Sequence, residues 1–158
     1  MKSLRIVFAV LLVFAVGSVL GDGPSKKCGD KYFYLTPDVW MGWEVNEACA
    51  DGYHFASALE LLQVSNYTYN TQLGATSLDS GYGPPASAHG WLRTGQTASP
   101  GAIVNCQNWT STDQVDFGLV GYLFVDFGGL SGSGWKYTLE QCIDGAAVWC
   151  VSDPSFPK

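Results

Sequence analysis

The sequence predicts a single α+β domain that is stapled by disulfides. Three observations predict it: a secretory type of N-terminus, five cysteines in the chain that follows, and helix-start signals interspersed with short apolar runs. Of the 158 residues, 19 are glycine and 14% are aromatic, and only 14% are charged. This composition is typical of a loop-rich extracellular domain rather than a helical bundle.

Residues 1–21 have the layout of a signal peptide. Lys2 and Arg5 supply positive charge, residues 6–16 form an unbroken apolar run, and residues 17–21 are mostly small. The apolar run is shorter than the roughly 20 residues that a membrane span needs. Cleavage after Gly21 would yield a secreted protein, extracellular or, in a bacterium, periplasmic. The alternative is an uncleaved anchor, and no other segment is suited to cross a bilayer.

Cleavage would leave residues 22–158 with a strongly acidic balance. Lys2 and Arg5 would be lost, so six basic residues face fourteen acidic ones and the formal charge is −8. A phosphate backbone would be repelled, and so would an anionic lipid surface. We therefore expect no nucleic-acid partner and no stable membrane insertion.

Short apolar and aromatic runs predict the strands of a domain spanning residues 31–153. A polar lead-in, 22–30, precedes the domain, and a tail, 154–158, follows it. The predicted strands are 31–36, 53–57, 91–95, 101–109 and 115–127, followed by WKYTLEQC and AAVWCV near the C-terminus. The run 115–127 is the most apolar, and we expect it to be the central buried strand.

Capping residues predict two short helices. Thr36 and Pro37 suit the start of a helix that ends before Gly52, which places Cys49 in its last turn. Ser57 and Glu60 form a capping box that opens a second helix through about residue 64. We expect its inner side to be covered by Leu59 and Leu62.

Between residues 65 and 100 no helical or strand period is sustained. The stretch is rich in turn formers, and a loop of this length is often functional. Aromatic side chains with one arginine on a rigid scaffold are typical of recognition surfaces. The candidate ligand-binding residues of this surface, 66–97, are Tyr69, Tyr82, His89, Trp91 and Arg93. The alternative for Trp91 and Tyr69 is that they pack the loop onto the core.

Cys142 and Cys150 bracket Asp144-Gly145, a strong signal for a two-residue hairpin turn. In such a hairpin Cys150 would lie about 10 Å from the position opposite Cys142, whereas a disulfide needs Cα atoms within roughly 7 Å. We therefore expect each to be half of a different disulfide. Their possible partners are Cys28, Cys49 and Cys106, and the odd number leaves one thiol over.

The order of these features resembles the C-type lectin-like superfamily, and in particular its endostatin-like branch. The resemblance rests on EACADG, YHFASALELL, the C-x-x-W segment NCQNWTS and the C-x₇-C of CIDGAAVWC. It implies two short helices packed on a small antiparallel sheet, with a ligand-binding long loop. It also implies disulfides from Cys49 to Cys150 and from Cys106 to Cys142, which leaves Cys28 over. The E-P-N or Q-P-D and W-N-D tripeptides of calcium-dependent sugar binding are missing, as are histidines before His54 for endostatin-type zinc binding.

Signals for catalysis and for a metal or other cofactor are weak. Of the two histidines, His54 is expected to be structural and His89 to be exposed. A hydrolase would have to use Asp113, Asp116 and Asp126. Carboxylates at 51, 60, 113 and 116 could supply calcium ligands, but no spacing requires them to. No catalytic residue, metal ligand or cofactor is assigned, and Asn66 and Asn108 are glycosylation acceptors if the source is eukaryotic.

The sequence therefore predicts a secreted, non-enzymatic recognition module that binds an extracellular protein or glycan through the long-loop surface. The first alternative is a structural or assembly module in which Cys28 links two chains. The second is the carboxylate-dependent hydrolase.

Overall fold

The computed structural model describes residues 31–95, 104–124 and 134–154. The predicted signal peptide, the lead-in with Cys28, the carboxylate Asp126 and the last four residues lie outside the described residues. In the described ranges, no helix has the length and apolarity to cross a membrane.

Within the described residues, seven strands form one mixed sheet, so the predicted α+β class is confirmed. The strands are β1 (Lys31–Leu35), β2 (Tyr53–Phe55), β3 (Tyr67–Tyr69), β4 (Gly90–Trp91), β5 (Phe117–Leu123), β6 (Trp135–Gln141) and β7 (Ala147–Ser152). The order is β3-β1-β7-β4-β5-β6, and β2 also pairs with β7. The pairs β1–β3 and β4–β7 are parallel. The wholly antiparallel sheet expected from the resemblance is therefore wrong.

The central strand is β7 rather than the predicted run 115–127. β7 pairs with β1, β2 and β4, whereas β5 pairs with β4 and β6. Val148, Trp149 and Cys150 have no exposed surface. A strand that is buried on both faces reads as a continuous apolar run, which is what residues 146–151 provide.

The helix predicted after Thr36 is wrong, and only a 3₁₀ turn, Val45–Glu47, forms there. The Thr36 hydroxyl donates to the carbonyl of Asp38 and accepts from the backbone of Val148, so it serves the sheet rather than a helix cap. The backbone of Gly42 bonds to Cys142 across the sheet end. Cys49 consequently lies beyond the 3₁₀ turn, not in the last turn of a helix.

The second predicted helix is confirmed as α1 (Ala58–Leu61), with both hydrogen bonds of the Ser57–Glu60 capping box present. Its predicted inner side is wrong. Leu61 is completely buried, whereas Leu59 and Leu62 are 70% and 62% exposed. A helix of one turn presents one residue to the core, and here that residue follows Glu60.

The predicted strand 101–109 is also wrong where the structure describes it, because Cys106–Trp109 forms one helical turn, α2.

The predicted hairpin at Asp144-Gly145 is wrong as well. A turn is present, with Asp144 bonded to the carbonyl of Gln141. However, β6 pairs with β5 and β7 with β4, so the two arms separate.

Two disulfides connect these elements. Cys49 is bonded to Cys150 with Cα atoms 5.8 Å apart, and Cys106 to Cys142 with Cα atoms 5.6 Å apart. These are the pairs that the resemblance implies. Cys142 and Cys150 belong to different disulfides, as the hairpin reasoning expected, although no hairpin separates them.

Candidate functional site

A cavity of about 480 Å³ lies where β4 ends beside α2. Three parts of the chain line it: Ser57 at the start of α1, Arg93 and Thr94 after β4, and Asn105, Asn108 and Trp109 in and beside α2. The lining thus combines hydroxyl, guanidinium and amide groups with an indole ring. We call it the Arg93 cavity.

Backbone pairing holds Arg93 at the cavity wall. Its N–H donates to the carbonyl of Ala56 and its own carbonyl accepts from Ala58, both at 2.9 Å. Its guanidinium carbon lies 5.8 Å from the centre of the Phe55 ring, and Nη2 lies 3.9 Å from a carboxylate oxygen of Glu60. Among the described residues, the buried Nε–H has no hydrogen-bond partner, so these residues leave one donor of this side chain unmet.

The opposite wall is a left-handed turn. The φ angles of Cys106, Gln107, Asn108 and Trp109 are 48°, 50°, 61° and 63°. This conformation disfavours a non-glycine residue by about 1–2 kcal/mol each, and such strain clusters at ligand clamps and switch sites. Sequence reasoning assigned 101–109 to a strand and therefore missed Asn105, Asn108 and Trp109 as lining residues. The available signal was Asn108, since asparagine tolerates left-handed backbone.

Neighbouring groups keep this turn in place. Cys106 is held by its disulfide to Cys142. The buried Asn105 accepts the N–H of Asn108 through its side-chain oxygen at 3.3 Å. Gln107 donates to Asp116 at 2.6 Å, and the Ser111 hydroxyl donates to the same carboxylate oxygen. The strain is thus offset by a covalent bond and by hydrogen bonds to a buried charge.

Asp116 is therefore engaged in structure. It is 8% exposed, and Gln107 and Ser111 occupy one of its oxygens. Asp113 is exposed and accepts the backbone N–H of Val115, as a turn residue does. Asp113 and Asp116, the two described carboxylates of the hydrolase hypothesis, thus both make hydrogen bonds that hold turns.

A row of hydrogen-bonded side chains, Asp153, His54 and Glu60, ends beside Arg93. His54 lies between Asp153, at 2.7 Å from Nδ1, and Glu60, at 2.8 Å from Nε2. The other oxygen of Glu60 accepts from the backbone and the hydroxyl of Ser57 at 2.8 and 2.7 Å. His54 thus has the structural, hydrogen-bonded position expected for it, and the Ser57 hydroxyl serves the helix cap.

The pKa of Glu60 is lowered from its usual 4.5. Burial acts to raise this pKa, but the hydrogen bonds from Ser57 and the contact with His54 together outweigh burial. The folded structure therefore favours the charged form of Glu60, which lies near Arg93.

Two of the five predicted ligand-binding residues serve the core. Trp91 has no exposed surface, and its indole N–H donates to the carbonyl of Trp40 at 2.8 Å. Trp91 therefore packs within the core. Tyr69 is half-buried, packs edge-on against Phe33 and donates its hydroxyl to the carbonyl of Ala75. It holds the loop onto the core, which was the alternative for both residues.

The remaining three lie in separate surroundings. Tyr82 is 61% exposed on the loop closed by the Ser77–Gly83 bridge. His89 stacks on Tyr122 with ring centres 4.6 Å apart and contacts Glu140 at 3.1 Å. Arg93 alone of the five lines the cavity, so the structure does not gather them into one site.

A second cavity of about 310 Å³ lies near the Cys49–Cys150 disulfide. Asp38 and Glu47 are exposed parts of its lining, and Trp40 contributes an indole whose buried N–H has no partner. It lacks the amide and guanidinium groups of the Arg93 cavity. The Arg93 cavity therefore has a larger share of polar side chains in its lining than the second cavity has.

Within the described ranges, no group of three or more His, Cys, Asp or Glu residues is arranged to hold a metal ion. No protein-family model, curated protein or solved structure matches this chain. The functional conclusion therefore depends on the chain's own side chains.

Proposed function

We propose that this protein is a secreted, non-enzymatic recognition module that binds a glycan in the Arg93 cavity. The observation that carries the proposal is the combination of hydroxyl, amide and guanidinium side chains with an indole in the lining of that cavity, one wall of which is held by a disulfide. The internal disulfides are compatible with an oxidising, extracellular compartment.

The chemistry of the lining favours sugar hydroxyls as ligands. The buried Asn105 is bonded to Asn108, whose exposed side chain carries an amide that both donates and accepts. The Arg93 guanidinium only donates. A sugar ring presents donors and acceptors side by side, so it matches such a mixed set. Trp109, which is 7% exposed, adds a small apolar area to the lining. The volume falls in the range typical of small-molecule sites.

An extracellular protein is the second candidate ligand. Leu78 and Tyr82 are 78% and 61% exposed on the loop between β3 and β4. The φ of Tyr82 is +64°, so a bulky ring is presented to solvent from a left-handed backbone. Exposed aromatic residues of this kind are common anchors of protein interfaces.

We also propose that the fold is C-type lectin-like and closest to the endostatin-like branch. Support comes from the two disulfide pairs and from the long irregular chain between β3 and β4. Because the calcium-binding tripeptides are missing from the sequence, sugar binding in this proposal uses hydrogen bonds from the cavity and needs no calcium.

A glycan array probed with the secreted protein tests the function. We expect binding to a defined set of glycans in the presence of a calcium chelator. Arg93→Met should weaken this binding at least tenfold, since it removes the guanidinium donors. Lys136→Met is the matched control, because it removes a cation from β6, outside the cavity lining. Equal losses in both variants, or no glycan bound, would contradict the proposal.

The assembly alternative remains a separate hypothesis that depends on Cys28. A disulfide-linked dimer would double the mass of the secreted protein under non-reducing conditions. Cys28→Ser would then return it to the monomer mass. Glycan binding unchanged in Cys28→Ser would separate recognition from assembly.

A further inference from the structure

Asn66 lies at an exposed corner beside the open edge of the sheet. It is the last residue of the 3₁₀ turn Val64–Asn66 and directly precedes β3. The sequence Asn66-Tyr67-Thr68 has the N-x-T pattern of an N-glycosylation acceptor. Asn66 and Thr68 are both exposed, while Tyr67 between them is half-buried.

Among the described residues, the backbone at this acceptor is paired on one side only. β3 pairs with β1 through Lys31↔Tyr67 and lies at the end of the strand order. Tyr67 has φ −114° and ψ 152°, which is extended backbone. Tyr67 and Tyr69 both belong to the partly buried residues packed on the core, so the acceptor asparagine and threonine face solvent. A bulky group on Asn66 would displace none of the core.

The second N-x-T sequence, at Asn108, has different surroundings. Asn108 belongs to the left-handed turn, and its side-chain oxygen accepts from Asn105 at 3.3 Å. The Thr110 hydroxyl donates to the carbonyl of Gln107 at 2.8 Å, and Trp109 is 7% exposed. Asn108 also lines the Arg93 cavity, so a glycan there would fill the cavity mouth.

We propose that Asn66 carries an N-linked oligosaccharide and that Asn108 does not. In the transfer, the amide nitrogen of Asn66 forms a bond to the first sugar carbon of a lipid-pyrophosphate-linked oligosaccharide. The bond from that carbon to the pyrophosphate oxygen breaks, the lipid pyrophosphate leaves, and the amide loses one proton. The inference rests on the proposed secretion, because the donor is met in the secretory pathway.

The position of Asn66 gives the modification a physical consequence. Unpaired edge strands are templates for association with other chains, and proteins protect them with charges, prolines or covering groups. The short edge strand here reads Tyr-Thr-Tyr, with no charged residue. A hydrated oligosaccharide attached just before this strand would cover its open side.

The test is the intact mass of the full chain expressed in a eukaryotic secretory cell line. The secreted protein should exceed its polypeptide mass by one N-glycan, and a peptide amidase that removes N-glycans should convert Asn66 to Asp. Asn66→Gln and Thr68→Ala should both abolish the added mass. Thr68→Ser and Asn108→Gln should retain it, because each leaves the first acceptor intact.

The outcomes separate this inference from the proposals on which it depends. Secreted protein without added mass, or added mass lost in Asn108→Gln instead of Asn66→Gln, overturns the inference alone. Retention of the chain inside the cell overturns secretion, and the inference with it. If Asn66 and the Arg93 cavity are independent, Asn66→Gln should lose its own N-glycan and still bind glycans on the array.

Discussion

At the residue scale, Glu60 connects three features of the site. One oxygen contacts His54, and the other closes the cap of α1 and lies near Arg93. The capping box was visible in the sequence because its two residues, Ser57 and Glu60, lie only three positions apart. The contact with His54 was not visible, because it depends on how β2 is placed beside α1.

Replacing Glu60 by Gln should reduce the free energy of unfolding by about 1 kcal/mol at pH 7, because Gln can keep the capping hydrogen bonds but loses the charge that strengthens them and that lies near Arg93. The pKa of Glu60 is lowered in the folded protein, so its stabilising effect is complete above the usual 4.5 and is lost as pH falls through the folded value. The difference between the variant and the natural protein should therefore shrink below that pH. Urea unfolding curves from pH 7 to pH 3 measure this.

Glu47→Gln is the control for this prediction, because Glu47 is an exposed carboxylate. Its free energy of unfolding should stay within about 0.5 kcal/mol of that of the natural protein. A difference for Glu60→Gln that does not change with pH would show that the charge of Glu60 does not stabilise the fold.

At the scale of elements, short local signals predicted the strands better than the helices. β1 and the cap of α1 were predictable because neighbouring residues determine them. The helix after Thr36 failed because the Thr36 hydroxyl bonds to β7, which is distant in sequence. The left-handed turn was signalled in the sequence only by Asn108, because the Cys106–Cys142 bond and the contact of Gln107 with the buried Asp116, which hold the turn, join residues that are not neighbours in sequence.

The left-handed turn can be tested with two substitutions at Gln107. Gln107→Gly and Gln107→Ala both remove the hydrogen bond to Asp116, so they differ only in backbone preference. At φ 50° the glycine variant should be more stable than the alanine variant by about 1 kcal/mol. Thermal and urea unfolding measure the difference. Greater stability of the alanine variant would contradict a left-handed backbone at this position.

The junction of β4 with β7 is tightly packed at Gly90. A Cβ atom there would lie 2.5 Å from side-chain carbons of Leu35 and Trp149. Gly90→Ala should therefore reduce the free energy of unfolding by about 1–3 kcal/mol. Gly134→Ala is the matched control, because its Cβ would meet nothing within 4 Å. Similar stabilities of the two variants would contradict this packing.

At the scale of the whole molecule, the sequence predicted the α+β class but not the sheet. Apolar runs indicate that strands exist, whereas parallel pairing of β1 with β3 and of β4 with β7 depends on how the chain crosses over. The Arg93 cavity was only half predictable. Arg93 was singled out as a cation within an aromatic loop, but the opposite wall comes from a segment predicted as a strand.

The most direct test of this account is a disulfide map of the secreted protein by peptide mass spectrometry without reduction. The Cys106–Cys142 bond fixes one cavity wall, and the Cys49–Cys150 bond ties the segment after the 3₁₀ turn to the central strand. We expect these two bonds. A Cys142–Cys150 bond, or free thiols at these four positions, would contradict the fold and the Arg93 cavity together.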